Sequence, residues 1–276
     1  MPKLMVTGGR RLQGKIKISG AKNAVLPQMA ASLLTREKVT LTNVPNITDV
    51  RDMKSTLEAY GVAVEPDDWN KFDGTLELQA DSPTSSLPSI NVRTDIRASF
   101  LVFGPLLART GEAEVYKPGG CDIQKEPRKV DYHIQAMNNM SVQEKPSIEE
   151  TNISVKMEME NGLKPAAITF KKSSVGATET AMMAASLVEG DTVIRHAAIE
   201  PEIYDLAKML EKMGAKININ ENVEIAEDDL TDFVVHDFQR IQRGYEDMVK
   251  KLNKCGAKLQ IPDDARDGHH GGAGAF

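Results

Sequence analysis

The sequence predicts a mixed α/β (α+β) fold built from repeated β, α, β, α, β, β units, and three observations carry that expectation. The segment GAKNAVLPQMAASLL at Gly20 to Leu34 returns in altered form as GATETAMMAASLV at Gly176 to Val188, so two Gly-Ala entries lead into helices carrying Met-Ala-Ala-Ser-Leu. Each copy is followed by a short β-branched run and then by a second helix that ends in glycine, at Gly61 and Gly214. The helices are apolar nearly all round, so three such units are expected to turn helices inward around one core and sheets outward.

Taken in order, the first unit places a helix over Gly20 to Leu34, a strand at Val39 to Val44, and a helix ending Leu57-Glu58-Ala59-Tyr60-Gly61. A strand begins at Val62, and the insertion PDDWNKFDGTLELQAD reads as a hairpin turning at Asp73-Gly74. The next unit has an apolar helix from about Asp95 to Arg109, the strand EAEVYKP, and an amphipathic helix from about Val130 that lacks a capping glycine. The stretch EETNISVKMEMENGLKPAAITF reads as a second hairpin, with Asn161-Gly162 supplying the turn. The last unit has the Gly176 helix, a strand at Asp191 to Ala197, a helix ending Leu210-Glu211-Lys212-Met213-Gly214, and a strand beginning at Ala215. Beyond Asn222 the pattern gives way to the acidic EIAEDDLTD, one further helix capped by Gly256, a final strand and the tail DDARDGHHGGAGAF.

With 276 residues and 41% hydrophobic content, the chain can bury a substantial core. A net charge of -6 argues against a general nucleic-acid or membrane-surface role, while leaving local basic clusters free to bind small anions. The first residues lack the apolar core of a signal peptide and no segment approaches the length of a membrane span, so a soluble, cytoplasmic location is expected. The two cysteines, Cys121 and Cys255, cannot build a disulfide framework and have no metal-ligand spacing around them. His269 and His270 read as tail, and no cofactor is expected.

Two features point to chemistry. The turn Pro118-Gly119-Gly120-Cys121 holds a thiol where two glycines let backbone approach a ligand and a nearby cation can raise the thiolate fraction; a buried packing cysteine is the competing reading. Lys22 opens a helix, where the macrodipole disfavours a positive charge by roughly 0.3 to 1 kcal/mol. A phosphate bound at that helix end accounts for the placement better than a solvated lysine does. Ser174-Val175-Gly176 reads as an N-cap followed by a packing glycine, which is compatible with a diphosphate on the helix amides.

The ordered set G-A-K-N at Gly20 to Asn23, I-R-A-S at Ile96 to Ser99, P-G-G-C at Pro118 to Cys121, S-V-G-A-T at Ser174 to Thr178 and E-P-E-I at Glu200 to Ile203 resembles the UDP-N-acetylglucosamine 1-carboxyvinyltransferases, the enolpyruvyl transferases of peptidoglycan synthesis. The resemblance runs in register over roughly residues 4 to 220, and R-G-Y at Arg243 to Tyr245 is similar to that family's C terminus. It implies two lobes, each an inside-out α/β barrel of three repeats. Here it implies one complete lobe at 22–222, a strand at 1–21 belonging to the second lobe, a reduced remnant of that lobe at 223–262, and a disordered tail at 263–276. The family's general base, an aspartate in Phe-Pro-Thr-Asp, has no counterpart, and the run between Cys121 and Arg128 is longer than the family's.

The reaction implied adds a sugar 3′-hydroxyl to C2 of phosphoenolpyruvate, protonates C3 and releases phosphate. Cys121 would deliver the proton or attack the enolpyruvyl group, Lys22 would hold phosphate, and Arg97, Arg128 and Arg243 would bind anionic groups through guanidinium forks. Asn23, Val130, Asp131, Lys172, Ser174, Val175 and Gly176, together with Arg128, would line the nucleotide-sugar pocket. His133 is expected to be a structural hydrogen-bonding residue, and Glu200 and Glu202 to orient neighbouring bases. The partners implied are UDP-N-acetylglucosamine and phosphoenolpyruvate, with no nucleic acid or membrane, and with self-association through the exposed lobe face. Two alternatives stand beside the transferase: a nucleotide-sugar-binding remnant of such an enzyme, and an enzyme acting on shikimate 3-phosphate, against which the P-G-G-C loop argues.

Overall fold

The computed structural model describes residues 5–7, 13–88, 96–118, 129–144, 146–219, 251, 253–254 and 258–260. The chain divides into two units, Met1–Ser19 with Ile219–Phe276, and Gly20–Asn218. In the smaller unit, β1 (Met5–Thr7) pairs antiparallel with the last strand of the chain, β10 (Lys258–Gln260), with Val6 opposite Leu259.

Within Gly20–Asn218 the same winding occurs twice. The first repeat runs α1 (Lys22–Ala31), a 3₁₀ turn at Ser32–Leu34, β2 (Val39–Leu41), α2 (Thr48–Ala59), β3 (Ala63–Glu65) and β4 (Leu76–Gln79). Its sheet has the order β2-β4-β3, both pairings antiparallel. The second repeat opens with a 3₁₀ turn at Arg97–Val102 and continues through α3 (Phe103–Thr110), β5 (Glu112–Tyr116), α4 (Asp131–Met140), β6 (Ser147–Glu150) and β7 (Ser154–Glu158). The sheet order is β5-β7-β6, again antiparallel throughout. In the third repeat, β8 (Ala167–Thr169) and β9 (Val193–Arg195) are parallel neighbours joined across α5 (Val175–Ala185), and α6 (Pro201–Lys212) follows.

Residue pattern explains which helices go to the centre. Helix α1 buries Val25, Leu26, Pro27, Met29, Ala30 and Ala31, and α5 buries every residue from Ala177 to Ala184, so neither has a polar face to give to water. By contrast α2 and α6 bury one stripe each, Val50, Met53 and Leu57 in α2 and Ile203, Leu206, Ala207 and Leu210 in α6, at the spacing of a helix resting on a core. Accordingly α1 packs against α2, α6 and the Arg97–Val102 turn, while α5 packs against α3, α4, α6 and that same turn. Helix α3 comes close to α5 at Gly104, where a Cβ would lie 2.6 Å from the carbonyl oxygen of Thr180.

Polar ties also cross between repeats. The Arg109 guanidinium donates to the carbonyls of Leu33, Thr35 and Asp81 at 2.7, 2.9 and 3.0 Å, and the Tyr60 hydroxyl donates to the Glu114 carbonyl at 2.9 Å. The glycines expected to stop α2 and α6 do so, Gly61 at φ 85° and Gly214 at φ 109°, values that a side chain would strain.

Several local expectations are corrected. The helix expected from Asp95 starts instead as the 3₁₀ turn at Arg97–Val102. Pro105 has no N–H to offer the carbonyl four residues earlier, so an α-helical start would leave that carbonyl unmet. Asp73-Gly74 is not a hairpin tip; Asp73 Oδ1 accepts from the Thr75 amide at 2.9 Å just ahead of β4, and residues 66–75 bridge β3 to β4. The second hairpin turns at Thr151–Ser154, where the Thr151 hydroxyl accepts from the amides of Ile153 and Ser154 at 3.2 and 2.9 Å. Asn161-Gly162 is a separate turn after β7. No strand forms at 215–219.

Candidate functional site

The start of α1 lies against the starts of α2 and α6. Lys22, the first residue of α1, places Nζ 3.2 Å from Oδ2 of Asp49 in the first turn of α2; Lys22 is 31% exposed and Asp49 8%. Next to it, Asn23 Nδ2 donates to Glu202 Oε1 of α6 at 3.2 Å. The α4 and α5 starts meet in the same way: a Cβ on Gly176, in the first turn of α5, would lie 2.9 Å from Nε2 of His133 in α4. The His133 ring stands edge-on to Phe100, 5.3 Å between centroids, and Phe100 belongs to the turn that Arg97 begins.

Each of these helices presents first-turn amides that no intrahelical carbonyl can reach. Among the described residues, none of α1, α2, α4, α5 and α6 has a side-chain cap on them. Ser174 does occupy the N-cap position of α5, at φ -145° and ψ 112°, but its hydroxyl makes no capping bond. Uncapped amides and aligned peptide dipoles at neighbouring helix starts favour bound anions. Lys22 and Arg97 add full positive charge there.

Charge also reaches into the interior behind these starts. Glu179 lies one turn inside α5, is 4% exposed, and its carboxyl is pushed up to about 8 by burial first, then by the fields of Glu202 and Glu200, with Arg97 opposing. His133, 3% exposed, is held down to about 3 by burial and then by Arg97, so its ring is neutral at ordinary pH. A backbone hydrogen bond with Val130 opposes these two effects in part, in keeping with a structural role for the ring, and the imidazole also packs edge-on against Phe100.

Of the residues expected to form a site, Lys22 and Asn23 are tied to Asp49 and Glu202, Gly176 stands against His133, and the charge of Arg97 acts on Glu179 and His133. Val130 is buried at the N-cap of α4, Asp131 is the exposed first residue of that helix, and Ser174 and Val175 stand half-buried at the head of α5. Lys172 is exposed just ahead of α5 and is not part of the ties. Cys121, Arg128 and Arg243 lie outside the described residues. Asp49 and Glu179 were not anticipated. A charge inside the apolar run ATETAMMAA was the available signal for Glu179, whereas Asp49 resembles any acid in a first helical turn. Among the described residues no group of three or more His, Cys, Asp or Glu side chains could hold a metal ion, and no helix is long and apolar enough to cross a membrane.

The profile of the EPSP synthase (3-phosphoshikimate 1-carboxyvinyltransferase) family matches residues 6–230. The chain belongs to that family. Among curated relatives it is 45% identical over 222 residues to the UDP-N-acetylglucosamine 1-carboxyvinyltransferase of Xanthobacter autotrophicus, covering 79% of this chain and 50% of the relative. It is 45% identical over 220 residues to the enzyme of that name from Acinetobacter baylyi, covering 79% and 49%. The corresponding protein of Wolbachia pipientis is 43% identical over 224 residues, covering 80% and 51%. The chain therefore spans about half the length of the curated relatives it matches. In three dimensions it is similar to the enolpyruvyl transferase NikO from Streptomyces tendae, with a TM-score of 0.65 at 21% identity over 80% of this chain and 49% of that one. An EPSP synthase from Acinetobacter baumannii gives 0.61 at 15% identity over 80% and 48%. These two likenesses show the fold, the mixed α/β architecture of enolpyruvyl transferases.

Proposed function

We propose that this chain takes part in transferring the enolpyruvyl group of phosphoenolpyruvate to the 3′-hydroxyl of UDP-N-acetylglucosamine, with release of phosphate. The observation that carries the reading is the gathering of uncapped helix starts around Lys22 and Arg97, in a chain 45% identical to enzymes of that name. Both substrates are polyanions, and a site for them needs fixed positive charge and amide donors more than it needs nucleophiles.

In this reading Lys22 and Arg97 hold phosphate and carboxylate oxygens, and Asn23, tied to Glu202, orients the acceptor sugar. The α5 start, Ser174-Val175-Gly176, receives the diphosphate on its amides, with Lys172 beside it. Val130 and Asp131 at the head of α4 line the nucleotide end together with Arg128. Cys121 supplies the proton to C3 or attacks the enolpyruvyl carbon, and Arg243 contributes a further anion contact. The reading places the chain in peptidoglycan synthesis, in the cytoplasm, and includes self-association, for which light scattering should show a dimer or larger species.

The deciding experiment measures phosphate release with phosphoenolpyruvate and UDP-N-acetylglucosamine separately and together. Release that requires both supports the transfer. If calorimetry shows UDP-N-acetylglucosamine binding while no phosphate is released, this chain binds the nucleotide sugar without carrying out the transfer. Labelling of Cys121 by fosfomycin, faster with the nucleotide sugar present, would show that the cysteine loop and the sugar site communicate.

A further inference from the structure

Two successive side chains of α1 reach to two different helix starts, and they are left with opposite hydrogen-bonding character. Lys22 goes to Asp49 of α2, at 3.2 Å, and an ammonium has only protons to give. Asn23 goes to Glu202 of α6, its Nδ2 donating to Oε1 at 3.2 Å. A carboxylate offers acceptors alone, so the amide of Asn23 has to turn its nitrogen toward Glu202 and its oxygen away. Both ends of this bond stand on fixed ground. Glu202 follows Pro201 in the first turn of α6, where the proline ring and the helix dipole both suit a helix start, and Asn23 is followed in α1 by the buried Val25, Leu26 and Pro27. Asn23 itself is exposed, and among the described residues no second bond takes up its Oδ1. The link adds little to stability, because an exposed hydrogen bond largely replaces one to water.

We propose that Glu202 is a positioning residue that fixes the amide of Asn23 so that Oδ1 accepts the proton of the sugar hydroxyl to which the enolpyruvyl group is transferred. Ionised phosphate and carboxylate oxygens bring no proton to Oδ1 and go instead to the ammonium of Lys22; a hydroxyl is the group that meets Oδ1. Adjacent residues of one helix thus sort the two substrates by chemistry, the anion to Lys22 and the hydroxyl to Asn23. The inference deepens the reading under Proposed function and rests on it for the identity of the sugar.

The test is calorimetry on the full chain with UDP-N-acetylglucosamine and with its analogue lacking the 3′-hydroxyl. The parent is expected to bind the analogue about tenfold more weakly, the effect of one hydrogen bond. Asn23→Asp sets two carboxylates against each other and is expected to lose this discrimination. Glu202→Gln, which can face Asn23 with either end of its amide, falls between. Asn23→Asp combined with Glu202→Gln exchanges donor and acceptor: the new amide donates to the new carboxylate, whose second oxygen is left for the hydroxyl, and discrimination returns. Unfolding midpoints are expected to stay near the parent's throughout, which separates orientation from folding. Should Asn23→Asp fold poorly, proton–nitrogen NMR of the Asn23 side-chain amide in the unaltered protein gives the same answer. The Nδ2 proton held by Glu202 keeps its shift when UDP-N-acetylglucosamine binds, and loses it in Glu202→Gln. Equal affinity of the parent for the two nucleotide sugars, failure of the paired variant to recover, or an Nδ2 proton that leaves Glu202 on binding overturns the inference alone. No binding of UDP-N-acetylglucosamine by the parent overturns the substrate reading and the inference with it.

Discussion

Replacing Gly104 with alanine tests the packing that brings the helix starts together. The added Cβ would sit 2.6 Å from the Thr180 carbonyl oxygen and 2.8 Å from its Cγ2, whereas ordinary contact begins at 3.4 Å. The nearest atom belongs to the backbone of a helix buried on all sides, so no rotamer change relieves it and α3 must separate from α5 by most of an ångström. Overpacking of this kind costs about 1 to 3 kcal/mol. Against it stands the better helix propensity of alanine, about 1 kcal/mol in a helix interior. The clash wins because it is with backbone, and the variant is expected to lose about 1 to 2 kcal/mol. Urea unfolding followed by circular dichroism should show a lower midpoint at unchanged slope. Because Cγ2 is the lesser obstacle, Gly104→Ala combined with Thr180→Ser recovers only part of the loss. A Gly104→Ala protein as stable as the parent would refute the close α3–α5 approach.

Thr180 Oγ1 is buried without a hydrogen-bond partner among the described residues, so Thr180→Val, of the same shape, is expected to raise stability by about 1 kcal/mol in the same assay; a loss would reveal a partner for the hydroxyl. The pH dependence of stability should have two opposed arms. His133 has a folded value near 3 against an ordinary 6.5, so the unfolded chain takes up the proton first and stability falls, by up to about 1.4 kcal/mol per pH unit, as pH drops from 6.5 toward 3. Glu179, raised to about 8 from 4.5, works the other way: its neutral form stabilises the fold at low pH and the benefit is lost as pH rises from 4.5 through 8. Glu179→Gln should therefore gain stability over the parent above pH 8, and His133→Gln should flatten the acid arm; unchanged profiles would contradict the burial of both groups. At the site, Lys22→Met removes a charge-assisted contact and should weaken UDP-N-acetylglucosamine binding roughly ten- to a hundredfold, with Lys22→Arg intermediate, as measured by calorimetry; equal affinity in all three would remove Lys22 from the anion site.

What could be read without coordinates was whatever is encoded within a few residues. The Met-Ala-Ala-Ser-Leu helices, the glycines closing α2 and α6, and the alternation of Ala113 and Val115 on β5 are short-range signals, because caps and periodicity act over one turn or one pleat. The motifs bearing Lys22, Asn23, Arg97 and Gly176 were legible too, since each is a contiguous run. The turn of the second hairpin was misplaced because Asn161-Gly162 has the stronger local chemistry, while pairing of β6 with β7 required the turn ten residues earlier, at Thr151.

Which charges face one another was a different matter. Lys22 and Asp49 are separated by two elements, and Asn23 and Glu202 by 179 positions, so no local pattern could pair them. Glu179 stood out only as a charge inside an apolar run, and its acidity was set once packing enclosed it beside Glu202 and Glu200, with Arg97 opposing. Burial and mutual fields depend on every neighbour at once, which is why the residue types and their helices belong to the sequence, and their acidity and pairing belong to the packed chain.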